Sequence, residues 1–255
     1  MLENIWNVST EKNLGKSATT LGSSTEFKGA FSRYLNDDSS EFSNFYQPPK
    51  SDYGFQLAYS SIHDNDIPQL IKTYFKTYPQ QALFLAHNNI TDQGLVQLML
   101  FLKDNTSIKH LILSHNAIAM NEFAKAGLAD LLKVNRFIGW LVFNHNEISD
   151  LGAKHIGYAM KDNRSVKHLV LSNNQITDNG LAALLAGLNH HPRLESLFLD
   201  YNKLSRDSCD LLTQFIANAP ALKRLDISGN FEASDVVMNH LKKQCESRGI
   251  RLLYQ

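Results

Sequence analysis

Three histidines, His87, His115 and His145, each stand immediately before an asparagine at near-equal intervals in a chain of 255 residues. If the chain folds back once per interval, the imidazoles lie about 5 Å apart, the spacing of neighbouring strands, and could share a metal ion. The column continues, however, as Tyr59, Asn173 and Tyr201, and no carboxylate or cysteine accompanies the histidines. That pattern predicts histidines that hydrogen-bond a turn at the rim, with no metal site and no cofactor. The two cysteines, Cys209 and Cys245, fall on positions occupied by apolar residues elsewhere. They read as small buried hydrophobes of a reducing compartment. A nucleophilic thiol needs exposure and a neighbouring base, and the sequence supplies neither. Among cations, Arg206 in the Ser205-Arg206-Asp207 turn could reach a partner's phosphoryl group, as could Arg136, Arg164 or Arg193. The last three read more simply as helix-end charges. No catalytic residue emerges, and the chain is expected not to be an enzyme.

The elements that would position these side chains form a repeat. The segment HLVLSNNQITDNG, residues 168–180, recurs as LFLAHNNITDQG from Leu83, LILSHNAI from Leu111, LVFNHNEISDLG from Leu141, LFLDYNKL from Leu197 and LDISGN from Leu225. Its asparagines are Asn88, Asn116, Asn146, Asn174, Asn202 and Asn230, separated by 28, 30, 28, 28 and 28 residues. A fixed period of this length means a solenoid. One step back from Asn88 lies Ser60, with Phe55, Leu57 and Ile62 at the apolar positions. One step forward from Leu222 and Leu225 lie Ile250 and Leu253, a truncated last strand. Degenerate end repeats are expected where one side lacks a neighbour.

Leu169 and Leu171 alternate with period two and predict a strand with both side chains in the core. Past a turn at Gly180, Leu181, Leu184, Leu185 and Leu188 fall at i, i+3, i+4 and i+7, a helix stripe facing the same core. Asn174 sits where the chain leaves the strand and strands backbone groups that cost about 1–3 kcal/mol each if buried unpaired. An amide has two donors and an acceptor, so a column of them can tie successive turns together.

The pattern LxxLxLxxNxIxxxGxxxLxxxLxxN, from Val166 through Asn174 to Leu188, resembles the leucine-rich repeat of the ribonuclease-inhibitor type. The resemblance implies an α/β horseshoe with a parallel concave sheet and convex helices. It spans residues 53–255 as about seven repeats, preceded by residues 1–52. It departs from the pattern at Ser60 and in two extra residues between Ile118 and Leu128. It further implies a non-catalytic module that binds a partner protein on its concave face. One branch of the resembling family implies instead a GTPase-activating accessory using a loop arginine. The short, cysteine-poor array also resembles effectors that intracellular bacteria deliver into host cells.

Residues 1–52 are a different text, with nine serines, four threonines and Pro48-Pro49, yet Phe27, Phe31, Tyr34 and Leu35 have helical spacing. The segment reads as a partly helical cap on the first repeat. With 25 basic and 25 acidic residues the chain is formally neutral, so no global field recruits nucleic acid or a membrane surface. No stretch approaches the ~20 apolar residues of a membrane span, and the start lacks the form of a signal peptide. A cytoplasmic monomer is expected or, for an effector, delivery into a host cell without a conventional signal.

Residues between the leucines point away from the core, so the concave face is read by column. Four before each asparagine stand Phe84, Ile112, Val142, Val170 and Phe198, with Gln56 and Asp226 at the ends; six before stand Ala82, His110, Trp140, His168, Ser196 and Arg224; two before stand Ala86, Ser114, Asn144, Ser172, Asp200 and Ser228. An exposed apolar stripe about 20 Å long, rimmed by polar groups, marks a binding surface. Candidate partner-binding residues are Phe84, His110, Ile112, Trp140, Val142, His168, Val170, Phe198, Asp200, Tyr201, Arg224 and Asp226, with Trp140 and Phe198 as anchors.

Overall fold

The computed structural model describes residues 54–75, 81–231 and 235–254. The expected cap over residues 1–52, including the helical spacing from Phe27 to Leu35, lies outside the described residues. Eight strands, β1 (Gly54–Gln56), β2 (Ala82–Phe84), β3 (His110–Ile112), β4 (Trp140–Val142), β5 (His168–Val170), β6 (Ser196–Phe198), β7 (Arg224–Asp226) and β8 (Arg251–Leu253), form one parallel sheet in chain order. Between them run α1 (Ile67–Leu70), α2 (Asp92–Lys103), α3 (Glu122–Val134), α4 (Asp150–Met160), α5 (Asp178–Leu188), α6 (Ser208–Ala217) and α7 (Asp235–Ser247). Leu83, Leu111, Leu141, Leu169, Leu197 and Leu225 stand in register across the sheet. They join the helix stripes in one continuous buried core. A helix is about 10 Å wide and a strand spacing about 4.8 Å, so the sheet lines the inner, concave side.

The last strand departs from the sequence register. Leu225 pairs with Leu252 and Asp226 with Leu253, so the final step is one residue short of 28 and Leu253 does not occupy the Leu225 column. Ile250 remains in the core.

The asparagines do what their column predicted. Asn174 Nδ2 donates to the carbonyls of Phe143 (3.0 Å), Leu171 (3.1 Å) and Ser172 (3.1 Å), and its Oδ1 accepts from Ile148 N (3.0 Å). Two of those partners belong to the preceding repeat. Ser60, where the first asparagine would be, donates its backbone N–H to Asn88 Oδ1 (3.1 Å). Asn174→Ala orphans several buried groups and is expected to cost about 1–3 kcal/mol, measured by urea denaturation; a melt like the parent's would remove the ladder as a source of stability.

The residue before each asparagine is left-handed: φ is 57° at Tyr59, 53° at His87, 52° at His115, 51° at His145, Asn173 and Tyr201, and 67° at Gly229. Asn, His and Gly are the residues that tolerate this region best, which accounts for their recurrence in the column.

Gly180 is not a turn residue as the sequence suggested; it lies in the first turn of α5. A Cβ there would meet Asp150 Oδ1 at 2.4 Å. The Asp150 carboxylate accepts from the backbone N (2.7 Å) and hydroxyl (2.7 Å) of Thr177, the N-cap of α5. Asp64 serves Thr91 in the same way, and Asp178 serves Ser205. The Thr-Asp-x-Gly phrase is therefore an inter-repeat lock: aspartate ties the next turn, and glycine leaves room for the aspartate behind it. At the two-residue insertion the lock changes form. Asp92 accepts from the backbone of Ala119, Met120 and Asn121. Fully buried His155 faces the Met120 carbonyl (2.8 Å) and Glu122 (3.1 Å).

Helices α4 and α5 touch backbone to backbone. A Cβ on Gly187 would lie 1.9 Å from the Gly157 carbonyl oxygen. Gly→Ala in a helix ordinarily stabilises by ~1 kcal/mol, but no rotamer relieves a clash with backbone, and overpacking costs about 1–3 kcal/mol or more. Gly187→Ala is therefore expected to destabilise by roughly 2 kcal/mol. A gain in the denaturation midpoint would show that the two helices can part freely.

A second ladder closes the helix C-termini. Asn163 Oδ1 accepts from Ser165 N (2.9 Å) and Val166 N (2.8 Å), and its Nδ2 donates to the Leu132 carbonyl (2.8 Å). Asn135 makes the equivalent bonds. One period later stands His191, buried, whose Nδ1 accepts from Arg193 N at a longer 3.4 Å. Burial, and then Arg164, push its pKa down to about 4. An unfolded histidine titrates near 6.5, so the unfolded chain binds more protons between pH 6.5 and 4. The histidine's stabilising contribution is complete above pH 6.5 and is lost as pH falls to about 4. His191→Asn restores the ladder amide and is expected to add about 0.5–2 kcal/mol, read as a Tm rise of a few degrees that grows from pH 7 to pH 5. An unchanged or lower Tm at pH 5 would refute it.

Candidate partner-binding face

Alternation along each three-residue strand sends its middle residue into the helix-backed core and its outer two to the other face. The structure places Phe84, Ile112, Val142, Val170 and Phe198 together on that other face, where with Ala82 and Ala86 they form a cluster separate from the main core. Cross-strand pairing sets Phe84 beside Ile112, Val142 beside Val170 and Val170 beside Phe198. The stripe therefore exists where the columns put it. Its exposure differs from expectation: these five side chains are 0–1% accessible. Strand neighbours shade a side chain from the sides but not from above, so an uncovered single-sheet face leaves the end of a phenyl ring wet. Phe198 therefore contributes to stability as well as to this face.

Along one flank run the rings of His110, Trp140 and His168, with centroids 5.8 and 3.8 Å apart and planes inclined by 11° and 28°. His168 Nδ1 lies 3.1 Å from Ser196 Oγ. Burial, reinforced by Lys109, takes the His110 pKa down to about 4. Burial likewise takes His168 to about 4, the pull of Glu195 being outweighed by burial together with Lys167, His110 and Lys223. Both imidazoles are thus neutral at pH 7, and the stack extends the apolar stripe without adding charge.

Along the other flank a polar row is also buried. Ser114 Oγ donates to Asn144 Oδ1, and Ser172 Oγ to Asp200 Oδ1 (2.5 Å). Ser228 continues this row, and its N (3.0 Å) and Oγ (2.7 Å) donate to fully buried Asp226, which ends the stripe beside Phe198. Ser114, Asn144 and Ser172 were legible in the columns but not singled out, because small polar residues carry no chemistry until something is seen to bury them. Arg224 is half-buried beside Ser196, and Tyr201 stands exposed on the rim with its ring over Gly229.

The histidine column reads differently in space. Tyr59, His87, His115 and His145 stack face to face with centroids 4.1, 3.8 and 3.9 Å apart and planes within 12–14°. In parallel rings the nitrogen lone pairs run side by side and do not converge on one ion at the ~2.0–2.1 Å a zinc–nitrogen bond needs. No group of three or more histidine, cysteine, aspartate or glutamate side chains among the described residues is placed to hold a metal.

Cys209 and Cys245 are buried, and burial raises both thiols to about 11, far from a reactive thiolate. Arg164 Nη1 donates to the Lys161 (2.9 Å) and Asn163 (2.6 Å) carbonyls, and Arg136 Nη1 lies 3.4 Å from the Asp162 carbonyl. Both sit at helix ends, as the simpler reading of them required. Arg193 and Arg206 are exposed. No helix of the described residues is long and apolar enough to cross a membrane.

With this geometry in view the chain can be compared with known proteins. A model of the leucine-rich repeat matches three stretches, residues 81–99, 104–119 and 162–185. No curated protein sequence matches. Among solved structures, the chain is similar to actin-binding site 2 of leiomodin-1, at 15% identity and a TM-score of 0.41, covering 88% of each chain. It is similar also to an internalin (InlF) of Listeria monocytogenes, at 24% identity and a TM-score of 0.42, over 68% of this chain and 47% of that one. The fold is a leucine-rich-repeat solenoid, an architecture whose domains generally serve protein–protein interaction.

Proposed function

We propose that this chain is a non-catalytic protein-binding module that engages a partner protein through its concave face. The observation that carries the reading is the apolar stripe from Phe84 to Phe198, continuous over five strands on the side away from the core and flanked by a neutral aromatic stack. Apolar groups buried on binding supply most of the affinity, whereas rim charges chiefly set rate and orientation. In this reading Phe84, Ile112, Val142, Val170 and Phe198 form the floor. His110, Trp140, His168 and Arg224 form one wall, Asp200 the other, Asp226 the end of the floor beside Phe198, and Tyr201 the rim. The arginine-based alternative gains nothing from Arg136 and Arg164, which already serve helix carbonyls.

The reading is tested by comparing the proteins captured from a eukaryotic lysate by the parent, by a concave variant and by a convex control. Trp140→Ala with Arg224→Glu alters the concave wall; Tyr158→Ala alters an exposed helix side chain of α4. A protein held by the parent and the convex control but lost by the concave variant is the expected result, since hot-spot truncation costs about 2 kcal/mol or more, some thirtyfold in Kd. Equal capture by all three would refute the concave location.

A further inference from the structure

The polar row at the strand entries has one missing member. Gln81, Lys109, Gly139, Lys167, Glu195 and Lys223 lie side by side just before β2 to β7, each tied to the next by a backbone hydrogen bond. Their side chains meet along the row. Lys109 Nζ lies 3.5 Å from Gln81 Oε1, and the Glu195 carboxylate takes Lys167 at 3.4 Å on one side and Lys223 at 2.7 Å on the other. Lys223, with Lys167 in support, outweighs desolvation and holds the Glu195 carboxyl below the usual carboxylate range. One carboxylate between two lysines is therefore an arrangement this edge already makes.

Gly139 stands in the same relation to Lys109 and Lys167, two strand spacings or about 10 Å apart, and brings no side chain. A Cβ built on it would meet nothing nearer than 4.0 Å, so the place between the two lysines is open. Among the described residues the hydrogen-bond partner of Lys109 Nζ is the neutral Gln81 amide, not a carboxylate. Cations at helix ends oppose the negative end of each helix dipole, but that does not account for a gap between them. The loop that ends at Gly139 surrounds the gap with further binding groups. Arg136 Nη1 rests 3.4 Å from the Asp162 carbonyl, a contact that uses one of the five N–H donors of a guanidinium. Phe137 is 46% exposed and Val134, at the end of α3, 49%. Exposed apolar side chains interleaved with cations are the elements of a recognition surface.

We propose that the notch over Gly139 is a second docking site, which takes an aspartate or glutamate carboxylate of a partner protein between Lys109 and Lys167 while a neighbouring apolar side chain of the same segment rests on Phe137. Glu195 is the pattern for the missing carboxylate. The partner is an acidic protein segment and not a nucleic acid or a lipid surface, because Asp104, Asp130 and Asp162 are exposed among the cations of this edge. A uniform array of phosphates would be set against them, whereas a peptide can place its carboxylates singly. The site lies at the strand entries, off the apolar floor of the concave face, so it stands whether or not that floor engages a partner.

The test is an NMR amide titration of the isotope-labelled full chain with the peptide acetyl-Gly-Glu-Phe-Glu-Gly-amide, its glutamine counterpart, an oligouridylate and phosphatidylserine vesicles. The acidic peptide is expected to shift the amides of Lys109, Phe137, Gly139 and Lys167, and the glutamine peptide is not. Shifts centred elsewhere, equal shifts from both peptides, or none, would each overturn the proposal. Tighter binding of the oligouridylate or the vesicles at these amides would reassign the edge and overturn it too. Gly139→Glu supplies the carboxylate from within, and the open space and ordinary backbone there admit it. It is expected to weaken the acidic peptide roughly tenfold against Gly139→Gln, which adds the same bulk without charge. Equal affinities for the two variants would refute the carboxylate site. Lys109→Glu, on an exposed side chain, is expected to give a similar loss, and unaltered binding would overturn the site as well. The capture variant, Trp140→Ala with Arg224→Glu, leaves Lys109, Gly139 and Lys167 in place, so failure of the concave reading and failure of this one are separately visible.

Discussion

Leu171→Asp is expected to unfold the central repeats, at a cost of more than ~4 kcal/mol. Leu171 is wholly inaccessible and belongs to the continuous core. Its backbone N–H donates to the Phe198 carbonyl (2.9 Å), and its carbonyl accepts from both Asn174 and Asn202. A carboxylate there finds no described cation, and its desolvation is unfavourable by several kcal/mol even after relaxation. Protonation would relieve the charge but still leave a polar group without the methyl contacts of leucine. Because each repeat is stabilised chiefly by its neighbours, damage at this strand spreads to the repeats on both sides. Urea denaturation followed by far-ultraviolet circular dichroism is the measurement. A midpoint near the parent's would contradict the assignment of Leu171 to the core.

Phe198→Ala carries the next largest effect, about 3–5 kcal/mol, the range for a phenylalanine truncated in a core. The size of the loss reports on the state of the concave face. A ring standing in water on an open sheet would lose only a few tenths of a kcal/mol to about 1 kcal/mol, chiefly cross-strand contact with its neighbours. The ring of Phe198 is instead inaccessible and packs with Val170 in a cluster of its own. Denaturation of the purified variant decides between the two values. A loss under about 1 kcal/mol would mean that the face is open.

Much of the architecture was legible because the repeat states the same physics six times. Strand parity, the helix stripe of Leu181, Leu184, Leu185 and Leu188, and the amide at the exit of each strand are all local consequences of backbone geometry and polar satisfaction. The columns of the concave face followed from the same parity, so Phe84, Ile112, Val142, Val170 and Phe198 could be placed side by side before any coordinates existed. The register of the last strand was not legible, because one residue fewer precedes Leu252 and a truncated repeat offers no second copy to align.

Gly180 and the histidine column show the other limit. Sequence marks Gly180 as small and His87, His115 and His145 as periodic, but whether a glycine turns the chain or admits a neighbouring aspartate depends on what the adjacent repeat puts there. Whether imidazoles converge on an ion or stack in parallel depends on ring orientation, fixed here by a left-handed backbone at each site. The sequence by itself determined the period, the parity of every strand and therefore which residues face away from the core. Tertiary structure alone decided that the outward-facing stripe from Phe84 to Phe198 is dry, because accessibility depends on the packing around a surface, which no local spacing rule encodes.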